Sequence, residues 1–264
     1  IDGISLKDRG RVREKSFSIG KTSVQFVLGD IAQARFCQAV IVPHFPHKAS
    51  IRSVAGTFIR SDYQNDIDDF AKEMENNNQP LGYGTVHPRK RTYGKELTNL
   101  GTPDYFFHAI TVVQENNSQF NAVRMATEQA GLAAVGLSDD EHEINKIVLP
   151  ALGTGVQGHL KGYQSARAIY AGINDFTNRV SPKNAEKVSF HIYIKDDAMH
   201  APIMDEFLAV MKDVSYLNVP KEGEIGKKQI NTDKILDHIR TENALTEAYN
   251  LSKAYQSDYA RYDL

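Results

Sequence analysis

The stretch from Pro150 to Gly158 reads Pro-Ala-Leu-Gly-Thr-Gly-Val-Gln-Gly and contains residue types suited to holding a phosphate. It follows an apolar run at 147–149 and precedes a helical pattern that begins near Lys161. A strand, a glycine-rich turn and a helix in this order direct backbone N–H groups and a helix N-terminus at an anion. Glycines suit the turn because a backbone that wraps a phosphate needs positive φ angles and no Cβ atoms. A turn that merely reverses the chain has the same composition, so this loop alone leaves both interpretations open.

Two kinds of side chain are candidates for chemistry beyond binding. His44 and His47 flank prolines in a loop, where a histidine can bind ribose hydroxyls, orient water or act as a base; it can equally lie in solvent without a role. Asp62 lies in a later helical pattern, whose other aspartates fit a solvated helix face. The histidines lack the spacing of metal ligands, so we expect neither a metal nor a cofactor.

The elements that position these residues follow from the pattern of apolar side chains. Residues 1–20 are polar, and we expect little regular structure before about Phe17. The alternation over 21–28 predicts a strand that ends in a turn at Gly29-Asp30-Ile31. The uninterrupted apolar run at 39–42 predicts a strand buried on both faces, which the stretch Pro43-His44-Phe45-Pro46 stops. The single cysteine, Cys37, excludes an internal disulfide and fits a small core side chain.

Strands and helices alternate along the remainder of the chain. This alternation predicts an α/β fold, a three-layer α/β/α sandwich around a mixed sheet, with ligand loops at the carboxyl ends of the strands. Those loops are 29–31, 43–55 and 151–160. The further predicted elements are a helix from Ala55 to Met74, strands at 81–87, 105–113, 147–149 and 188–194, a helix at 119–135 with Ser118 as its N-cap, and helices around 166–176 and 204–211.

Bulk composition limits the classes of function. A formal net charge of −2 argues against a nucleic-acid-coating role. No apolar run reaches membrane-spanning length and the first twenty residues lack a signal-peptide core, so we expect a cytoplasmic protein or one delivered into a host cytoplasm. The chain starts at Ile1 without methionine, as an excised domain would. We expect an extension at 1–20, one domain at 21–218, and at 219–264 a linker and C-terminal helices able to bind a protein partner.

Together the three loops resemble those of a macro domain, the ADP-ribose-binding fold, over roughly Ser23 to Val214. The family's first strand of this type ends in Gly-Asp-Ile, present here as Gly29-Asp30-Ile31, and a short apolar strand follows, here 39–42. The family's late strand ends in Pro-x-x-x-Thr-Gly-x-x-Gly, which matches Pro150 to Gly158.

The resemblance implies roles for matched residues. It implies that Asp30 hydrogen-bonds the adenine amino group and that Ile31 lines the same pocket. The glycine loop would wrap the diphosphate, with the Thr154 hydroxyl as a further donor, and Tyr193 and 195–197 would border the adenine. The ligand-binding residues expected on this basis are Asp30, Ile31, Val42, Pro43, Val54, Ala55, Leu152, Gly153, Thr154, Gly155, Val156, Gln157 and Gly158.

The chain also departs from the family pattern where the distal ribose lies. Most macro domains carry Asn-Ala-Ala-Asn after the second strand, whereas this chain has Val42-Pro43-His44-Phe45. The aspartate that positions water in the common mono-ADP-ribosyl hydrolases would fall at Ala55. The resemblance therefore favours a module that binds ADP-ribose, or a related adenine dinucleotide derivative, as a reader or sensor of ADP-ribosyl groups. The alternative is a hydrolase that removes ADP-ribose from modified protein with a non-standard catalytic residue, Asp62 or His44.

Overall fold

A computed structural model describes residues 14–31, 34, 37–48, 64–76, 80–92, 103–113, 116–139, 142–155, 158–198 and 200–215. Within these ranges the strands are β1 (Glu14–Ile19), β2 (Thr22–Leu28), β3 (Ala39–His44), β4 (Val86–Lys90), β5 (Tyr105–Ile110), β6 (Lys146–Pro150) and β7 (Ser189–Ile194). The helices are α1 (Gln64–Asn76), α2 (Asn116–Leu137), α3 (Gly162–Arg179), α4 (Pro182–Lys187) and α5 (Ala201–Ser215).

The strands form one mixed sheet in the order β1-β2-β7-β6-β3-β5-β4. The five inner strands are parallel, and the two edge strands, β1 and β4, pair antiparallel with their neighbours. The carboxyl ends of the parallel strands consequently open on one edge, where ligands bind in sheets of this kind. This edge carries the loops that follow β2, β3, β5, β6 and β7.

Helices cover both faces of the sheet, which confirms the predicted three-layer α/β/α sandwich. Alternate residues of β3 show the division, because Ala39 and Ile41 pack in a cluster with α2, α3 and α5, whereas Val40 and Val42 pack with α1. All six residues of β3 are buried. The uninterrupted apolar run was therefore a correct indication of a strand buried on both faces.

The strand β3 continues through Pro43, two residues beyond the predicted 39–42, and ends at His44, within the stretch that is expected to stop it. The carbonyl of His44 accepts a hydrogen bond from the Val112 N–H on the β5 side, at 3.0 Å. Since successive residues of a strand direct their polar groups to opposite sides, the nitrogen of Pro43 faces β6, and pairing with β6 ends at Val40. The missing N–H therefore leaves no ladder bond broken.

Both edge strands differ from the sequence-based prediction. Strand β1 is present from Glu14, before the expected position near Phe17, because β1 forms a hairpin with β2 through Gly20, whose φ is +55°. Most of β1 is exposed, so backbone pairing holds it and its sequence shows little apolar alternation. The predicted strand at 81–87 is displaced to Val86–Lys90, and Leu81 instead packs beside Phe70 and Met74.

Two helix starts also differ. Ser118 is not an N-cap, because α2 begins at Asn116 and Ser118 lies in its first turn; capping residue types also occur there, so residue type alone does not fix the boundary. The short helix α4 was missed, although Ser181 caps it by accepting from the Asn184 N–H and Pro182 begins it.

The predicted helix from Ala55 to Met74 is confirmed from Gln64 onwards, with Ile67, Phe70 and Met74 facing the core. Its first part, and the segment at 219–264, lie outside the described residues.

The close packing of α2 on α3 generates a prediction. A Cβ on Gly172 would lie 2.3 Å from the Arg124 carbonyl oxygen, so we expect Gly172→Ala to lower the free energy of unfolding by about 2 kcal/mol. A Cβ on Gly136, in α2, would have no neighbour within 4 Å, so Gly136→Ala should change stability by less than about 1 kcal/mol, in the stabilising direction. Urea unfolding of both variants measures the difference, and equal stabilities would contradict this account of the interface.

Candidate functional site

The first candidate loop follows β2 and holds its main chain against β7. The Gly29 N–H donates to the Ile194 carbonyl at 2.8 Å, which continues the parallel pairing beyond the strand end. Asp30 is exposed, whereas the side chain of Ile31 is buried. Tyr193, on the neighbouring strand, packs against the cluster that contains Ile31. An exposed carboxylate next to a buried apolar residue is suited to recognising a polar edge of a flat ligand.

The glycine loop after β6 is tightly closed. Gly153 has a φ of +82°, in the left-handed region that favours glycine. Its carbonyl accepts from the Leu160 N–H at 3.0 Å, and the Gly158 N–H donates to the Gly155 carbonyl at 2.7 Å. A Cβ on Gly158 would lie 1.9 Å from the Gly153 carbonyl oxygen, so no other residue fits without moving the loop. Gly153 and Gly158 are therefore required by the geometry of the loop.

Thr154 and Leu152, two of the predicted ligand-binding residues, make their contacts within the protein. The Thr154 hydroxyl donates to the Ala151 carbonyl at 2.7 Å, so its hydrogen is not directed towards a ligand. The Leu152 side chain lies in the core, and its carbonyl accepts from the Ser165 hydroxyl of α3 at 2.6 Å. Gly155 is exposed, with no atom within 4 Å of where its Cβ would be. The described part of the loop therefore presents backbone to solvent at Gly155.

Gln119, near the start of α2, is a positioning residue that the sequence did not reveal. Its fully buried amide accepts from the His159 N–H at 2.6 Å and donates to the Thr111 carbonyl at 3.2 Å. One side chain thus ties the exit of the glycine loop to the end of β5. A glutamine in a helix sequence gives no signal of such a bridge, because the two backbone partners come from distant parts of the chain.

His44, at the end of β3, lies in the interior of the protein. The interpretation of His44 as a loop histidine in solvent is therefore wrong. Val42, Pro43 and His44 are all buried, and His44 has no exposed area. With no surface atom, His44 does not reach a ligand in this structure, and its catalytic role stays a prediction. His47 lies on the exposed loop that follows.

Three histidines, which we call the histidine row, lie side by side on β3, β5 and β4. His44 Nε2 and His108 Nδ1 are 2.8 Å apart and hydrogen-bonded, and both rings are fully buried. His87 is directly opposite His108 in the antiparallel register of β4 with β5. Its Nε2 lies 2.9 Å from the Thr85 hydroxyl.

The ring of Phe70 in α1 covers the histidine row. It stacks on His108 with centroids 3.9 Å apart and an angle of 14°, and its centroid is 5.3 Å from that of His44 and 6.0 Å from that of His87. In the part of the chain that the structure describes, Nδ1 of His44 and Nε2 of His108 are buried and have no hydrogen-bond partner. The pair is therefore buried, with the ring of Phe70 packed against both imidazoles.

Burial holds the pair uncharged. Desolvation, reinforced by His87, lowers the pKa of His44 from 6.5 to about 3. Desolvation also lowers the pKa of His108 well below 6.5, with further contributions from His44, Arg89 and His87. The half-buried His87 has its pKa lowered by burial and by Arg89, against an opposing effect of Glu73. A neutral imidazole pair with one shared hydrogen bond is the arrangement that results.

The carboxyl end of β7 carries an electrostatic cluster beside the first loop. The Asp197 carboxylate accepts from the backbone and the ring of His200, both at 2.8 Å, and lies 3.0 Å from the Lys195 ammonium. Desolvation raises the pKa of Asp197, but these hydrogen bonds outweigh it and hold the pKa well below its usual range. Asp197 precedes α5 and acts as its cap.

Strand order determines which of these features lie close together. β7 separates β2 from β6, so Asp30 and the glycine loop begin about 10 Å apart on one edge of the sheet. The predicted ligand residues Val54, Ala55, Val156 and Gln157, and the catalytic candidate Asp62, lie outside the described residues. Among the residues that the structure describes, no group of three His, Cys, Asp or Glu side chains is placed to hold a metal ion. The described helices include none long and apolar enough to cross a bilayer.

The arrangement of strands and helices is that of solved macrodomains. A mutant macrodomain from Oceanobacillus iheyensis with ADPR has a TM-score of 0.56 and 16% identity, covering 77% of this chain and 98% of that one. The macrodomain of that organism with ADP gives 0.56 and 17% identity, covering 77% and 96%. The Trypanosoma brucei macrodomain in complex with ADP-ribose gives 0.50 and 14%, covering 72% and 68%.

Sequence comparison adds nothing to this similarity of fold. No family model matches the chain, and no curated protein matches it. The chain therefore has the macrodomain fold, which confirms the fold predicted from the three loops, at a level of identity that preserves architecture and few side chains.

The bridge made by Gln119 generates a prediction. We expect Gln119→Leu to lower the free energy of unfolding by about 2 kcal/mol, because the buried Thr111 carbonyl loses its donor and the His159 N–H its acceptor. The control is Gln164→Leu, which removes an exposed acceptor of the Lys161 N–H at the start of α3, where water can replace it. Urea unfolding compares the two, and similar losses would show that the bridge is not structural.

The histidine pair predicts acid sensitivity. Because the folded pKa of His44 is below the unfolded value, the unfolded state binds more protons, and stability is lost as pH falls from 6.5 towards 3. At pH 5 this loss is about 2 kcal/mol for His44 alone. Urea unfolding at pH 7 and pH 5 should show a smaller loss in His44→Gln. An equal loss in both proteins would show that His44 accepts its proton without unfolding.

Proposed function

We propose that the chain binds ADP-ribose, or a related adenine dinucleotide derivative, at the edge of the sheet formed by the ends of β2, β7, β6 and β3, and acts as a reader or sensor of ADP-ribosyl groups. The observation that carries the proposal is the closed glycine loop after β6, with Gly153 at a φ of +82° and Gly158 against the Gly153 carbonyl. In this proposal the diphosphate lies at the exposed Gly155 and is held by backbone groups, because the N–H groups of Gly158, His159 and Leu160 already donate within the protein.

The first loop supplies the other half of the proposed site. Asp30 is exposed, is followed in the chain by the buried Ile31, and lies about two strand spacings from the glycine loop. An adenosine diphosphate is an extended ligand with a flat polar base at one end and two negative charges at the other. In this proposal the carboxylate of Asp30 accepts a hydrogen bond from the adenine amino group, and the glycine loop holds the diphosphate.

The structural neighbours support the same ligand class. The solved macrodomains of similar fold were determined with ADPR, with ADP and in complex with ADP-ribose. These ligands all contain an adenosine diphosphate, which is the part of ADP-ribose that the two loops would recognise. The proposal therefore begins with this shared portion.

The described residues favour binding over hydrolysis. The buried His44 has no exposed atom with which to position water, and burial keeps its pKa far below the value at which a base works near neutral pH. Asp62 lies outside the described residues and lends the hydrolase alternative no support. We therefore propose a binding module whose natural target is an ADP-ribosylated protein or a free ADP-ribosyl nucleotide.

Isothermal titration with ADP-ribose tests the site. We expect Gly155→Glu to weaken binding at least tenfold, because it adds a carboxylate beside the diphosphate without steric conflict, the position being open within 4 Å. Gly155→Ala fills the same open position without charge and should stay within about threefold of the native chain. Asp30→Ala should weaken binding by about tenfold through loss of one charge-assisted hydrogen bond.

Two results would reject this proposal. Absence of ADP-ribose binding by the native chain would reject the ligand, and equal affinities of Gly155→Glu and Gly155→Ala would reject the position of the diphosphate. A separate incubation of the chain with mono-ADP-ribosylated protein, followed by detection of free ADP-ribose, distinguishes a reader from a hydrolase. We expect no release of ADP-ribose. Its release by the native chain would replace the reader with the hydrolase.

A further inference from the structure

We propose that the histidine row, His44, His108 and His87, is an acid-sensitive latch that holds α1 on the sheet and makes occupancy of the nucleotide pocket depend on pH. The ligand part of this inference rests on the proposed function, whereas the latch itself is a property of the fold. At neutral pH the latch is closed, with two uncharged imidazoles hydrogen-bonded to each other beneath Phe70. Acid favours a state in which α1 has moved and the imidazoles reach water.

The geometry of the pair leaves no place for a proton in the closed state. One nitrogen of each ring is used in the hydrogen bond between His44 and His108, and the outer nitrogens are buried without partners among the described residues. A second proton would create a buried imidazolium with an unsatisfied N–H, which protein interiors strongly disfavour. Phe70 of α1 stacks directly on His108, so displacement of α1 would uncover that ring.

The charges around the row oppose protonation further. On β4, Arg89 lies 5.6 Å from the centre of the Phe70 ring, on the helix that covers the pair. Its guanidinium is paired with Glu73 of α1 at 2.5 Å, and that carboxylate is the nearby group that favours a charged His87. Asp66 of α1 accepts from the Thr92 N–H. A proton on His87 therefore adds a second positive charge beside Arg89 and opposite the buried His108.

The same helix reaches the floor of the proposed pocket. Ile67 precedes Phe70 by one turn on α1 and is fully buried in a cluster with Ile31 and Val42. Ile31 follows Asp30, the proposed adenine contact, and Val42 precedes His44 by two residues on β3. A movement of α1 that exposes the histidines therefore also removes the packing beneath Ile31. This shared helix couples protonation to the shape of the pocket.

The size of the effect follows from proton linkage. If each imidazole recovers its ordinary pKa near 6.5 once α1 has moved, the opening equilibrium at pH 5.5 rises about tenfold per histidine. For His44 and His108 together the rise approaches a hundredfold. The apparent affinity for ligand is proportional to the fraction of protein in the closed state. By the same linkage, bound ligand opposes opening.

Amide hydrogen exchange of α1 measures the opening directly in the full chain. We expect protection of the α1 amides, after correction for the intrinsic rate, to fall at least tenfold between pH 7.5 and pH 5.5, and ADP-ribose to restore it. In His44→Gln/His108→Gln, whose amides can hydrogen-bond each other without titrating, α1 protection should change less than threefold. The control is His142→Gln, which changes an exposed histidine in the loop before β6. This variant should behave as the native chain does.

The outcomes separate the latch from the ligand. Saturating ADP-ribose at pH 5.5 should restore α1 protection in the native chain, whereas the double variant should show little acid-induced loss to restore; the ligand's phosphates stay ionised and its adenine neutral at this pH. If ADP-ribose binds at no pH, the proposed function fails while α1 exchange still tests the latch. Protection of α1 that does not change with pH, or that changes equally in the double variant, overturns the latch. A loss of α1 protection in acid that saturating ADP-ribose does not reverse overturns the coupling to the pocket.

Should the double variant fail to fold, His87→Gln provides the second test. This residue is half-buried and outside the hydrogen-bonded pair, so its replacement leaves the core intact. It removes the third imidazole and should reduce the pH response of α1 exchange relative to the native chain. An unchanged response would remove His87 from the latch, and with it the proposal that the three residues act as a row.

Discussion

Complete burial of β3 is the constraint on which the rest of the structure depends. The strand lies between β6 and β5 and is covered by helices on both faces, so each of its side chains must fit a packed interior. A strand in this position needs parallel neighbours whose connections cross over the sheet. The crossovers bring the carboxyl ends of five strands to one edge, and every loop of the proposed site begins at that edge.

The site that results is made mainly of backbone. Gly153 and Gly158 set the path of the glycine loop, and Gln119 and Ser165 hold it through carbonyl and N–H groups. Since these contacts are made by backbone groups, they place few demands on the surrounding side chains. The macrodomain fold is recognisable in structure at only 14–17% identity to the solved macrodomains.

Local patterns predicted the parts of the fold that depend on local chemistry. Three local patterns each indicate the structure at their own position: the alternation over 21–28, the apolar run of β3 and the glycines after β6. The three layers of the fold, and the edge of the sheet where the loops lie, could be predicted from these patterns. The start of edge strand β1 could not be predicted from the sequence, because backbone pairing rather than burial of apolar side chains holds this strand. The histidine row escaped because it depends on register across three strands, although a single polar His108 within the apolar run of β5 was a signal. The ligand contacts themselves stay predictions, since side-chain roles do not follow from fold.

The two edge strands have a consequence for behaviour in concentrated solution. Exposed backbone at a sheet edge can pair with another molecule and nucleate aggregation, which proteins counter with charge and proline. β1 begins with the charged pair Glu14-Lys15, and β4 contains Pro88 followed by Arg89 and Lys90. A second copy approaching either edge meets charge or a missing donor. The sheet is thereby discouraged from growing by edge-to-edge addition, and contacts between molecules are directed to other surfaces.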